Sequence, residues 1–540
     1  MDLQDFMRAA REIGAHGDND TLPFDWDTRF IKDCGPQLAE MAAQLYGRLS
    51  EMPVKDVKPY LWGAEPFAER LLVATGATGF RTTTKIHPFW NMYLNGLGIG
   101  IARAIVPERS DRALSYRFVD DEGATDLFDR TFSWRAFRTT CLDVVEGVDD
   151  DYVVVQTDIS SFYERISHHH IENMLTQLVD GCVAAQVNAL LSRFSAGRSF
   201  GLPVGGQFSR VVAEMLMLPV DAALEREGIS WFRFVDDYVL IAPSFRAAHE
   251  ALACLSHELA DYGLSLNRTK TTLLKASSFA DYVRAQVGVD DDEGSALKEI
   301  DLHFDPYSDS PVEEYEDLRA TVESLDVQRL LSRELDKSVP DSFLVAQVGR
   351  TLGLHAPNIT IGLVQSLISE ASLRSFRGSW PTIMRGISHV RSMAEYQAIH
   401  AQIDRYLDEV AEHSAYLLTN EGSQLHYLRS LRFSGSKIRS AYVWKVYKAT
   451  SSETVKRACL DCVKGWGGYG DMNTLTNDWV GMHPEVRRMA WLASLSFGEE
   501  GRNFRRQRFE SLRQNVRVGA GVDDAGEFAS MFEGWARGQA

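Results

Sequence analysis

The chain has 540 residues, of which 45% are apolar and 24% charged, with 57 Lys or Arg against 75 Asp or Glu and a formal charge of −18. This composition excludes a disordered, collagen-like or disulfide-framed protein, and the length exceeds one ordinary core, so two or three domains are expected. The acidic balance argues against indiscriminate nucleic-acid binding over the whole surface, while leaving room for a local basic groove.

Residues 1 to about 75 read as helical segments interrupted by Pro23, Pro36, Pro53 and Pro59, with no identifiable chemistry. The N-terminal stretch MDLQDFMRAAREIGAHGD has no long apolar segment, and nowhere do eighteen apolar residues run together, which predicts a soluble, cytoplasmic protein that is not exported. Scattered cysteines suit a reducing compartment, and the CxxC pair Cys459 and Cys462 has no second pair to complete a zinc site. From Gly76 the character changes, through TGATGFRTTTK and KIHPFWNMYLNGLGIGIARAI to SYRF at Ser115 to Phe118.

In Tyr152 to Ile166, YVVVQTDISSFYERI, four apolar residues predict a buried central strand with Asp158 just past it. A lone Asp there would cap a helix, but Ser160 or Ser161 fits that role as well and leaves Asp158 for other work. His168, His169 and His170 follow. Successive helical residues point about 100° apart, so the three cannot share an ion, and they read as surface or helix-start residues. Gly201 to Gly206 is a loop ending in two glycines before the apolar helix VVAEMLMLPVDAAL, where unobstructed backbone N–H groups can approach a phosphate or a base pair.

Trp231 to Ala242, WFRFVDDYVLIA, predicts two short buried strands joined by a tight turn carrying Asp236 and Asp237. Paired buried carboxylates need a cation or a proton. Arg233 offers a purely structural ion pair. The alternative is a hard divalent cation, which demands an oxygen ligand from a second strand end, and Asp158 supplies one. An amphipathic helix over Ala247 to Tyr262 ends at Gly263, before the strand-like LSLNRTKTTLL that contains Lys270.

Between 280 and 330, 15 acidic residues face 4 basic ones, including the run Asp290 to Glu293, which marks a junction or solvated loop. Residues from about 330 onward are helical by periodicity and suggest stacked helical hairpins without a fixed repeat. Between Leu425 and Val518, 17 Lys or Arg outnumber 8 Asp or Glu. With Trp444, Tyr447, Trp466 and Tyr469 interspersed, this stretch suits a single nucleic-acid strand needing phosphate neutralisation and stacking platforms.

Taken in order, DISSFY, GLPVGGQFSR, RFVDD and GLSLNRTKT resemble the A, B, C and D motifs of a reverse-transcriptase palm over roughly residues 80 to 280. PVG stands where PQG is common, and Phe234 where the C motif usually has Tyr. With SYRF, the set most resembles the bacterial abortive-infection and defence-associated (unknown-group) reverse transcriptases. The resemblance implies an α+β palm and fingers, a right-hand polymerase, followed by an all-α helical-repeat C-terminal domain. The expected division is 1–75 N-terminal helices, 76–280 fingers and palm, 281–330 acidic junction, and 331–540 repeat-like helices.

The same resemblance implies residue roles. Asp158, Asp236 and Asp237 would hold two Mg²⁺ ions, with Mn²⁺ as a substitute, and Lys270 would donate a proton to the leaving pyrophosphate. Tyr163 would be the steric gate that selects deoxynucleoside triphosphates, with Phe162 left as core. Lys85, Arg103 and Arg117 are candidates for the triphosphate, and Gly205 and Gly206 would lie beneath the nascent base pair. Val204 removes a hydrogen-bonding group from that position. The implied function is a nucleotidyltransferase acting in phage defence, an RNA-directed or template-independent DNA polymerase that is a homo-oligomer and uses a noncoding RNA or primes on its own tyrosine. Tyr442 and Tyr447 are the candidate primers. Competing readings are a templated retron or intron-type enzyme, which Val204 and the absence of a maturation or endonuclease module disfavour, and a catalytically silent nucleic-acid-binding scaffold, which the complete acidic triad disfavours. A cyclase on a similar palm would need neither the gate nor the GLPVGG loop.

Overall fold

The computed structural model describes residues 1–23, 25–76, 79–287, 297, 311–337, 340–467 and 472–539. The acidic run at Asp290 to Glu293 and the stacking candidate Tyr469 lie outside the described residues. Helices α1 (Leu3–His16), α2 (Trp26–Ser50) and α3 (Val54–Gly63) open the chain. Pro36 does not end α2 but follows a kink at Cys34, whose φ of −112° and ψ of 16° leave the helical region.

Strands β1 (Ala68–Thr75) and β2 (Gly79–Ile86) then pair antiparallel, with Ala68 opposite Ile86. Residues 68–75 are therefore strand, against the all-helical expectation for 1–75. Leu71 and Val73 are buried while Leu72 between them is exposed, and this two-residue period is the signal that was overlooked. Helices α4 (Pro88–Ile105) and α5 (Trp134–Glu146) lead to a four-stranded antiparallel sheet built from β3 (Val153–Asp158), β4 (Ser230–Phe234), β5 (Asp237–Ala242) and β6 (Thr272–Lys275), in the order β4-β5-β3-β6. Between these strands lie α6 (Phe162–Arg165), α7 (His168–Leu178), α8 (Gly181–Phe194), α9 (Gln207–Arg226) and α10 (Phe245–Asp261), and α11 (Ala276–Val287) follows β6.

Both faces of the sheet are covered, which is why its strands read as apolar runs. Val154, Val239 and Ile241 pack with Phe137, Phe279 and Val283 of α5 and α11. Val155, Leu240 and Trp231 face the larger core, to which α9 and α10 contribute. Each such buried side chain contributes roughly 1.5–3 kcal/mol.

The remaining helices are α12 (Pro311–Glu323), α13 (Val327–Leu335), α14 (Ser342–Thr351), α15 (Pro357–Ile368), α16 (Glu370–Phe376), α17 (Trp380–Ser392), α18 (His400–His413), α19 (Glu421–Leu431), α20 (Lys437–Ala449), α21 (Glu453–Trp466), α22 (Met472–Asp478), α23 (Pro484–Ala493), α24 (Gly498–Asn515) and α25 (Glu527–Arg537). Many of them stack on the element two or three further along, α14 on α17, α17 on α19, α19 on α21 and α21 on α23. The array is not detached from the rest. α25 returns to α2, where Phe30 meets Phe528, Phe532 and Trp535 edge-on, and α19 lies against β1. One hydrophobic core runs from Phe6 to Ala536.

A buried ionic cluster joins the three segments. Lys85 of β2 pairs with Asp18, with Asp25 at 2.9 Å and with Asp27 at 3.5 Å. Asp27 also takes Arg457 at 2.7 Å and Arg488 at 2.5 Å, and both guanidiniums reach Glu485. No helix among the described residues is long and apolar enough to cross a membrane.

Candidate active site

Three carboxylates meet at one edge of the sheet. β3 ends at Asp158, whose cross-strand partner is Asp237, the first residue of β5. β4 and β5 are joined by only Val235 and Asp236, because Phe234 already pairs with Asp237. Val235 takes φ +59°, a left-handed conformation that a β-branched side chain resists and that two-residue hairpins usually give to Gly or Asn. The surroundings hold it there: its N–H donates to Ser115 Oγ at 2.9 Å, and Arg233 donates to its carbonyl at 2.9 Å. The carbonyl of Asp236 accepts from Ile159 at 3.1 Å, so the turn is stitched to the end of β3.

Arg233 does not neutralise these acids. It is fully buried and pairs with Glu214 at 3.0 Å and Asp221 at 2.6 Å, beneath the turn. The structural ion pair that the sequence allowed is thus spent elsewhere. Burial, then the neighbouring Asp237, pushes the Asp236 carboxyl up to about 7. Asp237 is raised by burial and by Asp158, against the pull of Lys270 and Arg138. Lys270 Nζ lies 2.7 Å from Asp158 Oδ2, and Asp158 Oδ1 is buried with no hydrogen-bond partner. Among the described residues, no three His, Cys, Asp or Glu groups are already arranged as a ligand set. The fit to a hard cation lies in the all-oxygen donors, the orphaned Oδ1 and the lysine ammonium standing against Asp158.

A cavity of about 280 Å³ is lined by Arg81, Tyr116, Tyr163, Gly205, Gly206 and Arg210 among others; it reaches Ser161, three residues beyond Asp158, while the three acids themselves do not line it. Phe162 is buried and, like Tyr163, lines the cavity; the Tyr163 hydroxyl is within hydrogen-bonding reach of Tyr116. Gly205 has φ +119°, and a Cβ there would fall 2.2 Å from the Asn19 side chain, so no other residue fits. Gly206 precedes α9 as its N-cap. The carbonyl of Val204 accepts from Thr84 N at 3.0 Å and Thr83 Oγ1 at 2.8 Å, binding the loop to β2.

Several sequence candidates lie elsewhere. Lys85 is sunk in the ionic cluster and is not a triphosphate ligand, because three carboxylates already hold its ammonium. Arg117 donates to the Ser110 carbonyl and lies over Phe132 at 5.7 Å, outside the cavity. Arg103 pairs with Asp5 at 2.9 Å. Tyr447 is buried, against its assignment as a primer, and Tyr442 is half-buried edge-on to Tyr427. Burial pushes the Tyr442 hydroxyl up to about 12 and raises Tyr447 as well.

His168 is the first residue of α7, a helix-start residue as one of its readings had it, but it is buried rather than on the surface, with Nε2 2.8 Å from the Gly201 carbonyl. Ser161 precedes α6 in a left-handed conformation without a side-chain cap. Trp466 is core, bonded to the Leu431 carbonyl, and Arg439, Arg457 and Arg488 of the basic C-terminal stretch are buried counter-charges.

The cations that do line the cavity, Arg81 and Arg210, were missed. Arg210 carried a signal, since it sits in the first turn of α9, where the helix dipole disfavours a cation unless an anion is near. Ser115, whose hydroxyl accepts from the N–H of Val235 in the acidic turn, lay within SYRF without a role.

Residues 102–287 match the family of reverse transcriptases (RNA-dependent DNA polymerases), about a third of the chain, and this portion is therefore a nucleotidyltransferase domain. No curated protein matches the chain. Among solved structures, telomerase from Candida albicans in complex with a TWJ fragment of telomeric RNA is similar at 11% identity and a TM-score of 0.32, covering 65% of this chain and 65% of its own. Apo telomerase from Candida tropicalis gives 11% identity and a TM-score of 0.28, covering 77% of this chain and 74% of its own. The chain thus spans just under two thirds of the length of the first, and likeness at these scores carries no argument.

Proposed function

We propose that the chain is a DNA polymerase of the reverse-transcriptase class that extends DNA from deoxynucleoside triphosphates. The observation that carries this reading is the meeting of Asp158, Asp236 and Asp237 at one strand edge, with an orphaned carboxylate oxygen and the exposed Lys270 ammonium paired to Asp158.

Asp158, Asp236 and Asp237 would hold Mg²⁺, or Mn²⁺ in its place. Such ions supply a lowered pKa for the attacking hydroxyl and charge neutralisation on the phosphates. The chain's own residues do the rest. Ser115 and Arg233 keep the strained turn in place, so that Asp236 is presented without reorganisation. Tyr163 faces the sugar and excludes a ribose 2′-hydroxyl. Arg81 and Arg210 offer guanidiniums to the phosphates. Lys270, two-thirds exposed, is free to leave Asp158 for the departing pyrophosphate and protonate it.

The wider reading is an RNA-directed or template-independent enzyme of phage defence, assembling as a homo-oligomer in the cytoplasm, with a noncoding RNA as the candidate template. The test is to purify the protein from its native host, with and without nuclease treatment, and to supply labelled deoxynucleotides and Mg²⁺ beside Asp236→Ala. Label that requires Asp236 and survives nuclease supports untemplated synthesis. Label lost after RNase points to an RNA template. Absence of label in every lane, with Mg²⁺ and nucleotide binding also absent, would refute the polymerase reading in favour of a scaffold.

A further inference from the structure

The segment Asp18 to Leu22, far outside the matched domain, runs between the nucleotide cavity and the C-terminal helices. On one side Asp20 lines the cavity, and its carboxylate takes Arg210 at 2.6 Å, while its N–H donates to the Gly205 carbonyl at 2.9 Å. On the other side Arg385 of α17 donates to the Asp20 carbonyl at 2.7 Å, and His426 of α19 bonds the Thr21 carbonyl at 3.0 Å. The backbone of Asp20 is thus clamped from both sides. Its side chain is 44% exposed and is held to Arg210 by that one ion pair.

We propose that Asp20 is a displaceable occupant of the nucleotide's phosphate position, an intrinsic carboxylate that competes with the incoming triphosphate for Arg210 under the control of helices α17 and α19. The inference rests on reading this cavity as a deoxynucleoside triphosphate site. A guanidinium presents the same forked donors to a carboxylate as to a phosphate, so one replaces the other without moving the arginine. Arg210 favours an anion as its partner because it opposes the dipole of α9 from the first turn. A half-exposed ion pair is weak enough for a triphosphate to displace and strong enough to tax its binding several-fold. The tax depends on where the backbone of residue 20 stands, and Arg385 sets that from a helix outside the reverse-transcriptase domain.

The test measures equilibrium binding of dATP and of deoxyadenosine, each with Mg²⁺, to the full chain and to Asp20→Asn, Arg385→Ala and the double variant. Asp20→Asn is expected to tighten dATP about fivefold and leave deoxyadenosine unchanged, because only the phosphates compete for Arg210. Arg385→Ala, an exposed site, is expected to tighten dATP by a smaller factor, and the double variant to match Asp20→Asn alone. Weaker or unchanged dATP binding in Asp20→Asn would overturn the proposal, as would equal shifts for nucleotide and nucleoside, the mark of a merely structural role. An additive double variant would overturn the coupling to α17. A wild-type chain that binds neither ligand would instead refute the cavity assignment itself, and that failure shows before any variant is made.

Discussion

Replacing Asp236 with Asn should stabilise the metal-free protein by an amount that grows from about pH 4, where the unfolded carboxyl ionises, and is complete above about pH 7, where the folded one does. In the fold this carboxyl titrates near 7, against an ordinary 3.8, because burial and Asp237 oppose its charge. The unfolded chain releases the proton near pH 4 and the folded chain near 7, so between those values the native state binds more protons. Stability therefore falls as pH rises across that window and levels off above it. The full penalty is at most ~4 kcal/mol at ~1.4 kcal/mol per pH unit, and solvent at this partly exposed group brings it to roughly 2–3 kcal/mol. Unfolding entropy for a chain of this size is ~1.1 kcal/mol per degree, so Asp236→Asn should raise Tm by about 2–3 °C at pH 8 without divalent metal and by almost nothing at pH 4. Mg²⁺ at pH 8 should raise the wild-type Tm and not that of the variant. Scanning fluorimetry from pH 4 to 8, with EDTA or Mg²⁺, reads all four quantities. A variant stabilised equally at both ends of the range, or destabilised at pH 8, would refute the argument that Asp236 is a strained carboxylate awaiting a cation.

Lys85→Met should cost about 3–5 kcal/mol, since it leaves Asp18, Asp25 and Asp27 short of a buried counter-charge, and thermal unfolding should show it while dATP affinity of the folded protein stays within about twofold. Gly205→Ala should abolish nucleotide binding or soluble expression, because the new methyl falls on Asn19 and the +119° φ is unfavourable for alanine; dATP titration and circular dichroism separate the two outcomes. Arg81→Ala should raise KM for deoxynucleotides about tenfold with Tm unchanged, whereas Arg117→Ala, outside the cavity, should move Tm rather than KM.

What the sequence by itself determined is local. Strands of Val, Ile and aromatic residues, an acid at the end of one and two acids in the turn of another, with a glycine loop between them, depend on periodicities of a few residues. Those survive translation into structure because backbone geometry is set by neighbours in the chain. The motif order carried the reverse-transcriptase resemblance for the same reason. Burial depth and partner choice belonged to the tertiary structure.

Arg81 and Lys85 share one face of β2, four residues apart, and nothing in GFRTTTK says that one meets the cavity while the other sinks among three aspartates from the N-terminal segment. Arg233 stands next to the acidic turn in sequence, yet its charge goes to Glu214 and Asp221 on a helix that reaches it only through folding. Tyr442 and Tyr447 sit in a basic helix and were candidate primers, and the packing of α20 buries Tyr447 while leaving Tyr442 half-buried. Asp20 meets Arg210 across 190 residues and Arg385 across 365, so its contacts exist only because one continuous core brings those segments together.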